Sequence, residues 1–397
     1  MTDNAIILGA GASVDAGIPL LANFVEKMWE FAITGKQGEK ELSAEDKQIF
    51  SESIKVRNEL DGYHGRASFD DRNIEDILSI LSFNMIGGDE TDLAKLQWIN
   101  KAIARTIELT CSIKHDGVLN RKQGDTNVYQ WFWASLFKRF SSSPKSFPTI
   151  ISFNYDLVME RSLFQTLINT KFSNGDYDST FPFDGITLKY QYKFIEDVSY
   201  LVKYIQYQNS SSDSYLESGV ELGTKLVKCN AEELKNPVEV EILKLHGSLN
   251  FSSSKKITSP EFNPTNPVDD PYIIPPNINK SISTDQTMWG IGLKKLREAK
   301  NIVIVGYSMP QTDIYMQYFI KAGIGPNVNL NKIVVFNPTL FTSGKENDEM
   351  RERFGNCFSP QLRNRIDFEP FGIEDDQGTF KSFVDFGPIR SNNVFFG

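Results

Sequence analysis

The sequence predicts an α/β fold: a Rossmann-like, doubly wound parallel sheet of about six strands with an inserted helical subdomain and no zinc module. Three observations predict it. Short runs of apolar residues recur along the chain, most end in a glycine or polar turn, and helical patterns follow several of these turns. Because uninterrupted apolar runs are typical of parallel strands buried on both faces, the repeated order strand, turn, helix indicates a sheet covered by helices.

The first unit contains the turn around which the chain is organised. Residues 5–8 are a short apolar run that predicts a buried strand, and Gly9 and Gly11 follow it directly. Since glycine has no β-carbon, backbone N–H groups there can approach an anion. Val14 stands where the usual dinucleotide fingerprint has its third glycine, which disfavours a dehydrogenase. Glycine turns also follow strands in proteins without a ligand, so both interpretations stay open here.

A helical region separates the first strand from the second. Apolar residues three and four apart predict an amphipathic helix over residues 18–36. Further helical patterns follow at residues 74–81, 93–113 and 129–137, and together they predict a helical subdomain inserted at residues 40–147. We expect its aromatic stripe to pack in the core or an interface rather than to bind a ligand; the stripe is Trp131, Phe132, Trp133 and Phe137.

The remaining strands are predicted by later apolar runs. These runs are residues 148–153, 238–245, 301–305, 332–336 and 366–371. Residues 172–237 are predicted to be a mixed insertion of unknown role, in which residues 186–195 alternate like a strand and residues 210–212 form a serine-rich break. A further helix is predicted at residues 289–299.

Composition excludes several classes of function. The 397 residues carry a formal net charge of −9, which gives no overall attraction to nucleic acid. No apolar segment approaches the length of a membrane span and the first residues do not resemble a secretion signal, so we expect a cytoplasmic protein that binds neither membrane nor nucleic acid directly. The cysteines Cys111, Cys229 and Cys357 form no CxxC pair, so neither disulfides nor a structural zinc site is indicated.

Polar residues follow several predicted strands at the point where each strand ends. Besides the Gly9 turn, these are Asn154, His246, Ser308 and Asn337. Ligands of open parallel sheets bind beyond the carboxyl ends of the strands. The sequence therefore predicts a binding site at that edge of the sheet, assembled from segments more than three hundred residues apart.

His246 is the residue best suited to acid–base chemistry. It directly follows the strand predicted at residues 238–245, and an imidazole in that place can act as a base near neutral pH, although a buried structural histidine is the alternative. His64 and His115 lie in polar segments, where we expect them to be solvated. Asn154 and Asp156 are open to two interpretations as well: either can cap the next helix, and either can face a ligand.

Four short motifs in this order resemble the sirtuin family. They are Gly9-Ala10-Gly11-Ala12-Ser13 with Gly17-Ile18-Pro19, then Asn154-Tyr155-Asp156, then His246-Gly247, and finally Gly306-Tyr307-Ser308. Each motif alone is weakly specific, but their shared order is more specific and spans most of the chain. The resemblance implies one catalytic domain over residues 1–397.

The resemblance also implies roles for individual residues. The turn from Gly9 to Ser13 would hold the NAD pyrophosphate, and Gly17, Ile18 and Pro19 would also belong to the NAD-binding residues. Asn154 would lie by the nicotinamide ribose, and Asp156 would meet the carboxamide. His246 would be the general base, so that Asn154 and His246 are the expected catalytic residues. Gly306 would belong to the NAD-binding residues, and Ser308 and Asn337 would lie near the adenosine half.

Departures from the pattern indicate a branch of the family. Sirtuin deacylases continue Gly-Ile-Pro with Asp-Phe-Arg, where this chain has Leu20-Leu21-Ala22, and Phe153 replaces their glutamine. Their four zinc cysteines, which support the acyl-lysine groove, are missing, so we expect no metal. What remains is similar to the sirtuin-like NAD hydrolases of bacterial antiviral defence, which often act with a HerA-type ATPase or an Argonaute-like protein.

The expected function is therefore hydrolysis of the nicotinamide–ribose bond of NAD⁺, used to deplete NAD when a partner or self-assembly activates the protein. A homo-oligomer, a defence partner such as a HerA-type ATPase, or both are expected. Two alternatives remain. One is a sensor that binds NAD or an ADP-ribose derivative without turnover, and the other is a deacylase or ADP-ribosyltransferase, which would need an acceptor.

Overall fold

The central sheet contains nine strands among the residues that the structure describes. The computed structural model describes residues 4–62, 70–86, 90–114, 127–140, 147–169, 183–208, 220–252, 256–258, 261–274, 286–310, 313–368 and 376–387. The described part of the chain has thirteen strands in all: β1 (Asn4–Leu8), β2 (Lys36–Gln37), β3 (Lys40–Glu41), β4 (Thr149–Ser152), β5 (Gly185–Lys189), β6 (Val198–Gln208), β7 (Val220–Cys229), β8 (Pro237–Lys244), β9 (Gly247–Ser252), β10 (Pro271–Ile273), β11 (Asn301–Val305), β12 (Lys332–Phe336) and β13 (Ile366–Asp367). Four of them form two separate pairs, β2 with β3 and β9 with β10. Within the sheet the order is β13-β12-β11-β1-β4-β8-β5-β6-β7.

The helices connect and flank these strands. They are α1 (Leu21–Thr34), α2 (Ala44–Asp61), α3 (Ile74–Ile86), α4 (Glu90–Thr110), α5 (Val128–Phe140), α6 (Val158–Asn169), α7 (Gln286–Glu298), α8 (Ile314–Ile324), α9 (Lys345–Asn356), α10 (Pro360–Arg363) and α11 (Phe380–Phe386). A short 3-10 helix, Ala10–Ala16, follows β1 directly. In the described part of the chain, none of the helices is both long enough and apolar enough to cross a membrane.

The sheet is mostly parallel, and β1 is the fourth of its nine strands, next to the middle strand β4. β1 pairs in parallel with β11 on one side and with β4 on the other, and all five of its residues are buried. The three strands end at the same level, because Leu8, the last residue of β1, lies opposite Val305 at the end of β11 and Ser152 at the end of β4. The segments that follow β1, β4 and β11 therefore leave the sheet at the same edge.

The sheet is larger than the six strands predicted. The difference comes from residues 172–237, which contribute β5, β6 and β7 to one side of the sheet. β5 is parallel to β8, whereas β6 is antiparallel to both β5 and β7. The strand predicted over residues 186–195 is β5 and ends at Lys189, while residues 210–212 lie outside the described part.

The other predicted strands form with small changes of boundary. β8 ends at Lys244, so that Leu245 and His246 form a turn before β9. β13 is the two-residue strand Ile366–Asp367, and residues 369–371 of that predicted strand lie outside the described part.

The helices between β1 and β4 form a block, α2 to α5, whose apolar residues join the same buried cluster as the sheet. Of the aromatic stripe, Phe132, Trp133 and Phe137 are buried, whereas Trp131 is 47% exposed. The indole N–H of Trp133 donates to the carbonyl of Met159, which ties α5 to α6. Three of the four aromatic residues are therefore core residues, as the sequence indicated.

Candidate functional site

A cleft of about 810 Å³, measured together with its open mouth, lies at the carboxyl ends of β1, β4, β8 and β11. Its walls come from the turns after these strands and from the helix block. The lining residues are Ala10, Ser13, Ile18, Pro19, Leu21, Phe24, Glu75, Ile107, Phe153, Asn154, Tyr155, Asp156, His246, Gly306, Tyr307, Ser308, Pro310 and Asp313.

The glycine turn after β1 uses its backbone amides within the protein. Gly9 N–H donates to the carbonyl of Val305 at 2.9 Å, and Gly11 N–H donates to the carbonyl of Gly306 at 2.8 Å. In this structure these two amides, which the sequence analysis offered to a ligand anion, are therefore used within the protein; the role of the Gly9–Ser13 turn in binding NAD stays a prediction. Ala10 and Ser13 are the residues of this turn that line the cleft.

The glycines are needed because two turns meet backbone to backbone. A β-carbon on Gly9 would lie 2.6 Å from Cα of Tyr307, and one on Gly11 would lie 2.8 Å from Cα of Gly306. Gly306 itself has a φ of 66°, and a β-carbon on it would overlap the amide nitrogen of Ala12. The absence of side chains therefore lets the β1 and β11 turns pack closely and form one floor.

Asn154, Ser13 and Asp156 form a hydrogen-bonded chain along this floor. The side-chain amide of Asn154 donates to the carbonyl of Gly9 and to Oγ of Ser13, both at 2.9 Å. Ser13 in turn donates to Oδ2 of Asp156 at 2.7 Å, and Oδ1 of Asp156 accepts from the N–H of Val158 at the start of α6. Both amide hydrogens of Asn154 are thus used.

This chain leaves one acceptor of the asparagine for a ligand. Among the described residues, none donates a hydrogen bond to Oδ1 of Asn154, and the side chain is only partly buried at the cleft wall. An amide oxygen accepts hydrogen bonds through two lone pairs. Asn154 can therefore accept a hydrogen bond from water or a sugar hydroxyl while its amide nitrogen holds the glycine turn.

His246 faces the cleft from the turn between β8 and β9. The imidazole is 5% exposed and stacks on Phe153, with ring centroids 5.4 Å apart and planes inclined by 25°. Its backbone carbonyl accepts from the N–H of Ile274, and the next residue, Gly247, has a φ of 86° that favours glycine. The imidazole is therefore held by packing and backbone contacts at the edge of the cleft.

Two tyrosines complete the wall around His246. The hydroxyl of Tyr155 donates to the carbonyl of Ile274, and that of Tyr307 donates to Oδ2 of Asp313 at 3.3 Å. Burial raises the pKa of Tyr155, and burial together with the nearby Asp313 carboxylate raises that of Tyr307. Both hydroxyls stay protonated near neutral pH, so they are not candidates for a general base.

The lining is acidic. Glu75 from α3 and Asp313 at the start of α8 line the cleft together with Asp156, and the described lining includes no lysine or arginine. Sequence reasoning missed Glu75 and Asp313, because neither follows a predicted strand. Asp313 could have been found from the sequence, because an Asp directly before a helical pattern indicates a helix cap. Its side chain does accept a hydrogen bond from the N–H of Met316 at the start of α8.

The structure brings most predicted site residues to the cleft and leaves others outside its lining. Those lining it are Ala10, Ser13, Ile18, Pro19, Asn154, Asp156, His246, Gly306 and Ser308. Gly9 and Gly11 lie outside the lining and hydrogen-bond to the end of β11 and its turn. The carbonyl of Ala12 accepts a hydrogen bond from the hydroxyl of Tyr129. Gly17 ends the 3-10 helix with a φ of 84°. Asn337 caps a short 3-10 helix after β12 by accepting from Thr339 N–H. His64 and His115 lie outside the described residues.

Metal-binding side chains do not cluster in the described ranges, where no group of three or more His, Cys, Asp or Glu is arranged to bind an ion. Cys111 and Cys357 are buried and Cys229 is partly buried, and all three are free thiols.

Comparison with known proteins gives a distant structural similarity to Sir2 homologues. No protein-family model matches the chain, and no curated protein matches it. A crystal structure of a Sir2 homologue–NAD complex is 12% identical with a TM-score of 0.31, and the match covers 89% of this chain and 88% of that one. A complex of ADP-ribose with a histidine-to-asparagine mutant of a Sir2 homologue is 11% identical with a TM-score of 0.26, covering 89% and 91%.

Proposed function

We propose that the cleft binds NAD⁺ and hydrolyses its nicotinamide–ribose bond, giving nicotinamide, ADP-ribose and a proton. One observation carries the proposal: Asn154 and Asp156 from the turn after β4, and His246 from the turn after β8, line one cleft beside Ala10, Ser13 and the Gly306 turn. The same motifs carry the resemblance of the sequence to sirtuins. A cleft with few polar groups converging on one end is a common form of catalytic site.

The chemistry of this bond suits the residues in the cleft. Cleavage passes through a state with oxocarbenium character at the ribose, as in other glycosyl transfers. Nicotinamide leaves as a neutral molecule because its ring nitrogen is already cationic, so no acid is needed to protonate it. The carboxyl groups of Glu75, Asp156 and Asp313 would favour the positive charge of the substrate and of the transition state.

Water supplies the second reactant. Oδ1 of Asn154 would accept a hydrogen bond from the incoming water or from a ribose hydroxyl and so hold it in line with the breaking bond. His246 would take the proton that the water loses as it bonds to the ribose. The apolar wall of Phe153, Ile18 and Phe24 would exclude other water and strengthen these interactions.

The biological role that the resemblance suggests is antiviral depletion of NAD. A permanently active NAD hydrolase would harm its own cell, so we propose that assembly into an oligomer or binding of a partner, such as a HerA-type ATPase, controls it. The helix block is the proposed contact surface, since Phe83, Leu93 and Trp131 are between 45% and 51% exposed on α3, α4 and α5.

A nicotinamide-release assay tests the proposed reaction. Purified protein is incubated with NAD⁺ over a range of protein concentrations, so that assembly is allowed, and products are identified by mass spectrometry. We expect Asn154→Ala and His246→Ala each to lower kcat about a hundredfold or more, as positioning and acid–base groups do. Circular dichroism and the unfolding midpoint show whether each variant is folded.

The control is Asn329→Ala, an exposed asparagine on the opposite, amino-terminal side of β12, which should keep the wild-type rate. Wild-type rates in both cleft variants would contradict the mechanism. Tight binding of NAD⁺ without nicotinamide release at any protein concentration would favour a sensor. Release that depends on an added acylated peptide or protein acceptor would favour a deacylase or transferase.

A further inference from the structure

A buried lysine lies directly beneath the Asn154–Asp156 turn. Lys244 is the last residue of β8, two positions before His246, and is 1% exposed. Lysine is among the residues least often found fully buried, because removing its ammonium group from water is costly. Nothing in the mechanism above requires it.

The ammonium group of Lys244 makes two contacts. It donates a hydrogen bond to the backbone carbonyl of Asp156, and it lies 3.5 Å from Oε1 of Glu160. Glu160 is on the first turn of α6 and is 0% exposed, and its carboxylate lies beside the buried hydroxyl of Tyr190 as well as the Lys244 ammonium. Burial raises the pKa of Glu160, and the Lys244 ammonium opposes that rise.

Such a pair is a poor way to stabilise a core. Two well-packed apolar residues of similar size are often as stable as a buried ion pair or more stable, because they need no desolvation. Losing one partner, however, leaves the other charge uncompensated. The pair is thus better explained by what the ammonium group does to the Asp156 carbonyl than by stability.

We propose that Lys244, held in place by Glu160, is a positioning residue that fixes the Asn154–Asp156 turn for catalysis. This inference rests on the proposed function. The ammonium group joins β8, which leads into His246, to the turn that carries Asn154 and Asp156. It thereby sets the distance between the two expected catalytic side chains without touching the substrate.

The test separates positioning from stability with three variants: Lys244→Met, Glu160→Leu and the double variant. Each single variant is expected to have a lower unfolding midpoint than wild type, because it buries a lone charge or leaves a partner unpaired. The double variant should regain most of that midpoint, since neither charge remains. Its kcat should nonetheless stay about tenfold or more below wild type, with a smaller change in KM, because the turn is no longer fixed.

A second readout does not depend on turnover. The N–H of Val158 donates to Oδ1 of Asp156, so its hydrogen-exchange rate reports how firmly the turn is held. We expect faster exchange of this amide in the double variant than in wild type. The control is Lys189→Met with Glu239→Leu, which removes a 2.7 Å ion pair between β5 and β8 and should leave both kcat and Val158 exchange unchanged.

The outcomes distinguish the two proposals. If wild-type protein releases nicotinamide, a double variant with wild-type kcat overturns the positioning role, whatever its exchange rate. If wild-type protein releases none, the proposed reaction fails, and Val158 exchange alone decides: faster exchange supports the Lys244 clamp and unchanged exchange overturns it.

Discussion

Gly306 shows how closely single residues determine the floor of the cleft. Its φ of 66° is in the left-handed region, its N–H donates to the carbonyl of Phe336, and its carbonyl accepts from Gly11. A side chain at this position would be strained by the backbone conformation and would also overlap Ala12. The β1 and β11 turns therefore depend on one another for their conformation.

Replacing Gly306 with alanine is expected to destabilise the protein by about 3 kcal/mol or more, as left-handed strain and overpacking add. Gly38 is the matched control: its φ is 59°, but a β-carbon there meets nothing within 4 Å. Gly38→Ala should cost only the strain of about 1 kcal/mol. Urea unfolding measures both, and equal losses would show that the contact between the turns does not matter.

At the scale of elements, α5 and α11 hold the glycine turn in place from behind. The hydroxyl of Tyr129 on α5 donates to the carbonyl of Ala12 at 2.9 Å, and its ring stacks on Phe380 of α11 at 4.8 Å. Phe383 of α11 then contacts Phe132 on α5 and Phe336 at the end of β12. The position of the turn thus depends on a helix near the end of the described chain.

Phe383→Ala is therefore expected to cost about 3–5 kcal/mol, the usual cost of a large cavity in a core, and to weaken NAD⁺ binding by loosening the turn. Phe386→Ala on the same helix is the control, because Phe386 is 44% exposed whereas Phe383 is 0% exposed. Its effect should stay within about 0.5 kcal/mol. Denaturant unfolding and calorimetric titration measure the two effects, and equal destabilisation by both variants would contradict this account of α11.

The elements that could be predicted from the sequence are those buried on both faces. β1 and β11 are fully buried, so their residues are continuously apolar and their boundaries are clear. β6 and β7 were not predicted as strands. They lie at the side of the sheet in antiparallel pairs and mix polar with apolar residues, which gives no continuous run.

The residues of the candidate site that directly follow strands could be predicted from the sequence, and those that lie on helices could not. Asn154, Asp156 and His246 follow central strands, so topology alone brings them to one edge. Glu75 belongs to α3, and no pattern in a sequence shows which helix will close a cleft. Asn337 follows β12, and β11 lies between β12 and β1. Asn337 is therefore one strand spacing, about 4.8 Å, farther from the glycine turn than the residues after β11, and Asn337 is not among the lining residues. Its expected place near adenosine stays a prediction.

At the scale of the whole molecule, the helix block is a wall of the cleft. Glu75 of α3 and Ile107 of α4 line it opposite the strand ends, and the apolar residues of α1 to α5 share one buried cluster with the sheet. A ligand in the cleft therefore contacts both the helix block and the sheet. Binding should stabilise them together.

ADP-ribose, the product of the proposed reaction, is expected to raise the unfolding midpoint of the whole chain in a single transition. At a hundred times its dissociation constant, a ligand that binds only the folded state adds about 2.7 kcal/mol. Calorimetry measures the transition, and hydrogen exchange of α3 and α4 should slow along with that of β1 and β4. Two transitions of which only one shifts, or protection limited to the strands, would show that the helix block does not contribute to the binding cleft.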